Sequence, residues 1–121
     1  LSPGVLFGES DDVAPDVVWV SHERLMALMD EKGHLRGAPE LVVEVLSPGA
    51  ENERRDREAK LKLYELKGVR EYWIVDWRVK QVEVYRREGG RLRQVGTLLV
   101  EDEITSPLLP GFARKVERFF D

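Results

Sequence analysis

Apolar positions along this chain follow two periods, and the switches between them mark out its elements. Residues 41–46 are apolar at consecutive rather than alternate positions, Glu44 excepted, which is the pattern of a strand covered on both faces. Pro39 and Pro48 bracket the run, and because neither can donate to a ladder the strand lies between them. Residues 15–20 predict another strand, short and rich in β-formers, with Asp16 at its start. Residues 71–76 predict a further strand, and 81–87 with 92–100 predict a hairpin across Glu88, Gly89, Gly90 and Arg91, where the glycines accept positive φ. A helical period takes over at 22–30, with Ser21 as N-cap, Gly33 near the end, and Leu25, Met26, Leu28 and Met29 as apolar contacts. It returns at 53–67, between Asn52 as N-cap and Gly68 at C′. Strand, helix and strand across 41–76 predict a parallel pair with a right-handed crossover. Val5 to Phe7 reads as a strand end before a loop in which Asp11 and Asp12 are solvated; residues 106–111 read as an apolar loop and 112–120 as a short terminal helix.

Composition narrows the class. A chain of 121 residues holds one domain, here 1–121, able to bury roughly two-thirds of its unfolded surface. Hydrophobic residues make up 42%, and no apolar run approaches the ~20 residues of a membrane span, so no membrane partner is expected. With no cysteine there are no disulfides and no thiolate sites, which points to the cytoplasm. The net charge of −4 means that a basic surface for nucleic acid must be local. Arg86, Arg87, Arg91 and Arg93 read as charge defending an exposed hairpin edge, and His22 and His34 as surface residues. The chain opens at Leu1 without a charged-then-apolar leader, so no signal peptide is expected and the sequence reads as a fragment.

The candidate chemistry starts from Glu44. An ionised carboxylate on a covered strand costs several kcal/mol, on the order of the desolvation of one ion, unless a cation or metal sits against it. An Arg or Lys partner, or a sheet end open to water, would satisfy it equally well. At ~100° per residue the helix from residue 53 sets Ala59, Leu63 and Leu66 on one side, with Leu61 and Tyr64 at the edge of the same face, Lys60 turned inward and Lys62 turned to water. An intrahelical pair between Lys60 and Asp56 competes with a Lys60 to Glu44 contact. An Asp16 strand antiparallel to the Glu44 strand would bring Asp16 toward Glu44, whereas a parallel pairing would put it near Glu40. Two converging carboxylates suit Mg²⁺ or Mn²⁺, and a lysine beside such an ion handles water or phosphate.

These residues carry a resemblance. Pro15 and Asp16, the block Pro39 to Pro48, Arg55, Asp56 and Arg57 with Lys60 and Tyr64, and the run Gly68 to Asp76 resemble the Uma-two family of restriction-endonuclease-like proteins, a branch of the PD-(D/E)XK nuclease superfamily. Leu108 to Gly111 is a later echo. The resemblance implies an α/β fold, a restriction-endonuclease-like mixed β-sheet flanked by helices with an antiparallel C-terminal hairpin. It implies Asp16 as the PD aspartate, Glu44 as the second acid, and the backbone carbonyl of Val45 as a further metal contact. Three departures stand out: Leu46 occupies the superfamily's lysine position, so that Lys60 matches the family's helix lysine; Gly49 and Ala50 stand where the family has Ser-Thr; and the family's N-terminal helix and hairpin are missing.

The expected function is a Mg²⁺- or Mn²⁺-dependent endonuclease hydrolysing DNA phosphodiester bonds, with Asp16, Glu44 and Lys60 as catalytic residues. Arg54, Arg55 and Arg57 could steer the phosphate backbone, or could be a solvated helix start satisfied by Glu51, Glu53 and Glu58. The alternative is a catalytically silent nucleic-acid-binding or oligomerisation module, with a second copy of the chain as partner in a homo-oligomer. A glycosidase using Asp16 and Glu44 is remote, since the inward Lys60 would hold both acids ionised.

Overall fold

The computed structural model describes residues 16–46 and 53–121, the side chains of 53–56 excepted. The expected strand end at 5–7, the loop at Asp11 and Asp12, the turn through Ser47 to Ala50 and the Asn52 cap lie outside the described residues. Among the described residues seven strands and two α-helices follow in the order β1 (Val17–Trp19), α1 (His22–Leu28), β2 (Leu41–Val45), α2 (Glu53–Lys67), β3 (Glu71–Asp76), β4 (Gln81–Glu88), β5 (Arg91–Leu98), β6 (Glu103–Thr105) and β7 (Ala113–Lys115), with a 3-10 turn over Val116–Phe120 after them. Strands β1 to β5 form one mixed sheet in sequence order. Strand β1 is antiparallel to β2, β2 is parallel to β3 through the α2 crossover, and β3 to β5 are antiparallel neighbours. The Gly89 and Gly90 turn, with φ of 58° and 83°, matches the twist of the hairpin strands.

Alternation along the central strands builds a core on each face. Leu41, Val43, Trp73, Val75, Val82 and Val84 pack on one side with Ile104 and Val116; Val42, Tyr72 and Ile74 pack on the other with Tyr64 and Val69 from α2 and its exit. Each such fully buried apolar side chain contributes roughly 1.5–3 kcal/mol, enough for the two layers to carry a few buried acids between them. No helix among the described residues is long and apolar enough to cross a membrane.

Several expectations change here. Helix α1 ends at Leu28, because Asp30 accepts the backbone N–H groups of Lys32 and His34 and turns the chain so that Met29 bridges Leu35. Met26 and Met29 are exposed rather than core. The predicted terminal helix is instead β7 followed by the 3-10 turn: the chain reverses after Pro110 through Gly111, at φ 82°, and lays residues 113–115 against β6. Arg86 and Arg87 do not defend an edge. Arg86 pairs with buried Glu71, and Arg87 donates to the carbonyls of Val69 and Glu65 at the end of α2. The apolar face of α2 is also rotated from expectation: Tyr64 is buried while Leu66 is 77% exposed. The sheet beneath α2 carries Glu44 and Glu83, so the stripe Arg57, Lys60, Leu61 and Tyr64 is the complementary one.

Candidate functional site

Strand alternation assigns the face of each acid. Val42 packs on the α2 side, so Glu44, two residues on, points there as well, whereas Leu41 and Val43 belong to the opposite core. Glu44 is 7% exposed, and its carboxylate is held by an ammonium and two hydroxyl donors. Lys60 Nζ lies 3.3 Å from Oε1, the Tyr64 hydroxyl donates to Oε1 at 3.1 Å, and the Tyr72 hydroxyl donates to Oε2 at 2.9 Å. Lys60 and Tyr64 are four residues apart on α2 and therefore reach down the same side of the helix. Lys62, two residues from Lys60, is exposed.

Asp16 arrives from β1. The antiparallel register pairs Val17 with Val43 and Val18 with Val42, which leaves Asp16, the residue before β1, at the end of β2 that carries Glu44 and Val45. Asp16 itself is exposed, and its Oδ2 accepts the backbone N–H of Val45 at 2.8 Å, which ties the carboxylate to the end of β2. The Val45 side chain is exposed. Leu46 is half-buried against the Tyr64 and Tyr72 cluster, its N–H donating to the Val75 carbonyl and its own carbonyl accepting the Trp77 indole N–H at 3.0 Å. Arg57 pairs with Glu83, while the side chains of Arg54, Arg55 and Asp56 lie outside the described residues. A cleft of about 190 Å³ lined by Arg57, Glu58, Leu61, Ile74 and Tyr85 adjoins the cluster through Ile74, the register partner of Glu44.

Two buried acids escaped the sequence reading. Asp76 ends β3 on the same face as Glu44, and Arg78 binds it through both its guanidinium and its backbone N–H. Burial pushes the Asp76 carboxyl up, but the Arg78 hydrogen bonds and charge outweigh it and hold the group below the ordinary aspartate value. Glu71, 1% exposed, opens β3 on the opposite face and accepts from Arg86, Ser106 and the Trp73 indole. Neither sits in a recognisable spacing; the signal for each is a carboxylate at the end of an otherwise apolar strand. Among the described residues no three His, Cys, Asp or Glu side chains gather as a metal cluster.

The family's sequence profile, described as a putative restriction endonuclease and designated Uma2, matches residues 1–117. The chain belongs to the Uma2 family. Among solved structures, this Uma2 chain is similar to a putative nuclease belonging to DUF820 from Anabaena variabilis ATCC 29413, with a TM-score of 0.75 at 18% sequence identity. The alignment covers 99% of this chain and 65% of that one, so this chain spans about two-thirds of the neighbour's length, and at that identity the likeness speaks for the fold. No curated protein matches the chain.

Proposed function

We propose that this protein is a metal-dependent endonuclease that hydrolyses DNA phosphodiester bonds, with Asp16, Glu44 and Lys60 as its working residues in a PD-(D/E)XK arrangement. One observation supports the reading: the lysine of α2 reaches the buried acid of β2, 3.3 Å from Oε1, while Asp16 accepts the backbone N–H of the next residue, Val45. The donor set in this reading is all oxygen, Asp16, Glu44 and the Val45 carbonyl, and that chemistry fits Mg²⁺ or Mn²⁺, which take one or two carboxylates and retain several waters. Such a cation, when bound, supplies positive charge to the scissile phosphate and acidity to water.

The chain's own residues do the remaining work. Glu44 and Asp16 bring negative charge to the open end of β2. Lys60, with its side chain 34% exposed, reaches from solvent to Glu44 and is placed to orient an attacking water or to stabilise charge on the phosphate oxygens. It takes over from the strand lysine, whose position Leu46 fills with a side chain packed against the core. Arg54 and Arg55, with Arg57 anchored on Glu83, would meet the phosphate backbone at the start of α2.

The silent-module reading has its own support in Leu46, since a core leucine at a lysine position is what a retired nuclease would carry. Nicking of supercoiled DNA by the full-length protein separates the two. We expect cleavage with Mg²⁺ or Mn²⁺ and its loss in Glu44→Gln; a full-length protein that leaves every DNA and RNA substrate intact under these conditions establishes the silent module.

A further inference from the structure

The inference builds on the metal-dependent reading above and concerns two tyrosines to which that reading gives no role. Tyr64 and Tyr72 are 0% and 1% exposed, and they come from different elements, α2 and β3. Their hydroxyls converge on one side chain, Tyr64 on Glu44 Oε1 at 3.1 Å and Tyr72 on Glu44 Oε2 at 2.9 Å. With a donor on each oxygen, turning the carboxylate about its last torsion breaks both hydrogen bonds at once, so the pair fixes the plane of the group as well as satisfying it. The rings are held in turn. Tyr64 meets Tyr72 edge-on at 5.0 Å between centroids, and Tyr72 lies 6.1 Å from Tyr85. Lys60 Nζ adds an ion pair to Oε1 at 3.3 Å, so among the described residues Oε1 meets a hydroxyl and an ammonium and Oε2 meets one hydroxyl.

We infer that Tyr64 and Tyr72 are positioning residues for metal binding, clamping the Glu44 carboxylate so that Oε2, the less heavily bonded oxygen, meets the cation. Tyr72 is the more important of the two, because its hydrogen bond runs to that oxygen. Partners of this kind orient a ligand and tune its donor strength, and their removal typically weakens metal binding by about 10- to 100-fold. Tyrosines that merely satisfy a buried acid would change stability and leave metal affinity alone.

Calorimetric titration of the full-length protein with Mn²⁺, alongside thermal unfolding, tests the point. Tyr72→Phe keeps the ring and loses only the hydroxyl, and it should weaken Mn²⁺ binding about tenfold. Tyr64→Phe should weaken it by less than about tenfold, since Lys60 still pairs with Oε1. Tyr85→Phe is the control from the same aromatic row; its hydroxyl points to Glu83 at 3.5 Å, and Mn²⁺ affinity should stay at the wild-type value. The wild type offers a check independent of any variant's folding: Mn²⁺ should perturb the near-ultraviolet tyrosine absorption in step with the heat released. Folded Tyr72→Phe and Tyr64→Phe proteins that bind Mn²⁺ like wild type, or saturation without a tyrosine difference spectrum, overturn the inference, and if Glu44→Gln still abolishes binding the metal reading survives it. Wild-type protein that binds no Mn²⁺ overturns both.

Discussion

Two glutamates are buried in this sheet, one on each face, and they are satisfied in different ways. Glu71 is sealed beneath the small β6 and β7 sheet, with Arg86, Ser106 and Trp73 as donors, and Arg86 also reaches the Thr105 carbonyl. Glu44 faces α2 and takes two phenols and a half-exposed ammonium, and the Asp16 carboxylate holds the N–H of the residue after it. Arginine suits the first place because its planar fork spans several acceptors and stays charged. Lysine suits the second because a compact charge on a flexible stem can meet a single carboxylate oxygen from the edge of solvent. Burial of an acid alone therefore does not identify a site; the kind of donor and the path to water do.

The sharpest way to break this contrast is to remove each cation's role in turn. Lys60→Ala should lower DNA cleavage by about 10²- to 10³-fold while retaining Mn²⁺, since the lysine acts on water or phosphate, and Lys62→Ala should cleave as wild type. Cleavage rates measured with matched calorimetry decide it, and equal losses for both lysines would reduce Lys60 to surface charge.

Glu71→Gln should do the reverse, leaving Mn²⁺ affinity intact and destabilising the fold. Breaking a fully buried pair costs roughly 3–5 kcal/mol; because the Arg86 side chain is 35% exposed, about 2 kcal/mol is the better expectation, read as a fall of roughly 8 °C in thermal midpoint. A Glu71→Gln protein with unchanged stability would mean that Ser106 and Trp73 do not need the charge.

The smallest effect concerns Asp76, which shares the Glu44 face but is matched to Arg78. Because its folded value is depressed, its stabilising contribution is complete above the unfolded value of about 3.9 and is lost as the pH falls through the folded one. Asp76→Asn should therefore cost about 0.5–1 kcal/mol at neutral pH, with the two proteins converging in strongly acidic solution. Denaturant unfolding at several pH values checks the convergence.

Much of this was legible in advance. Helix α2 spans the expected residues 53–67 with Gly68 at φ 88° after its end, and β3 spans the expected residues. The antiparallel pairing of β1 with β2 follows the reading that brings Asp16 toward Glu44 rather than Glu40. Glu40 turns out to have its own work, accepting the Ser21 N–H at 2.9 Å at the start of α1. The β6 and β7 pairing was missed because three-residue strands are too short to show a period.

Local chemistry, then, determined the limits of α2, the bracketing of the β2 sequence by prolines and the inward turn of Lys60 relative to Lys62, since each depends on residues within one or two turns of chain. Tertiary structure alone added the two tyrosines that join Lys60 on Glu44. Tyr72 is 28 residues away and reaches it only because a parallel register sets β3 beside β2, and Arg86 finds Glu71 across 15 residues through an antiparallel one. Such contacts follow from how the strands close on one another, a choice made by the burial of both faces together and not written in any single segment.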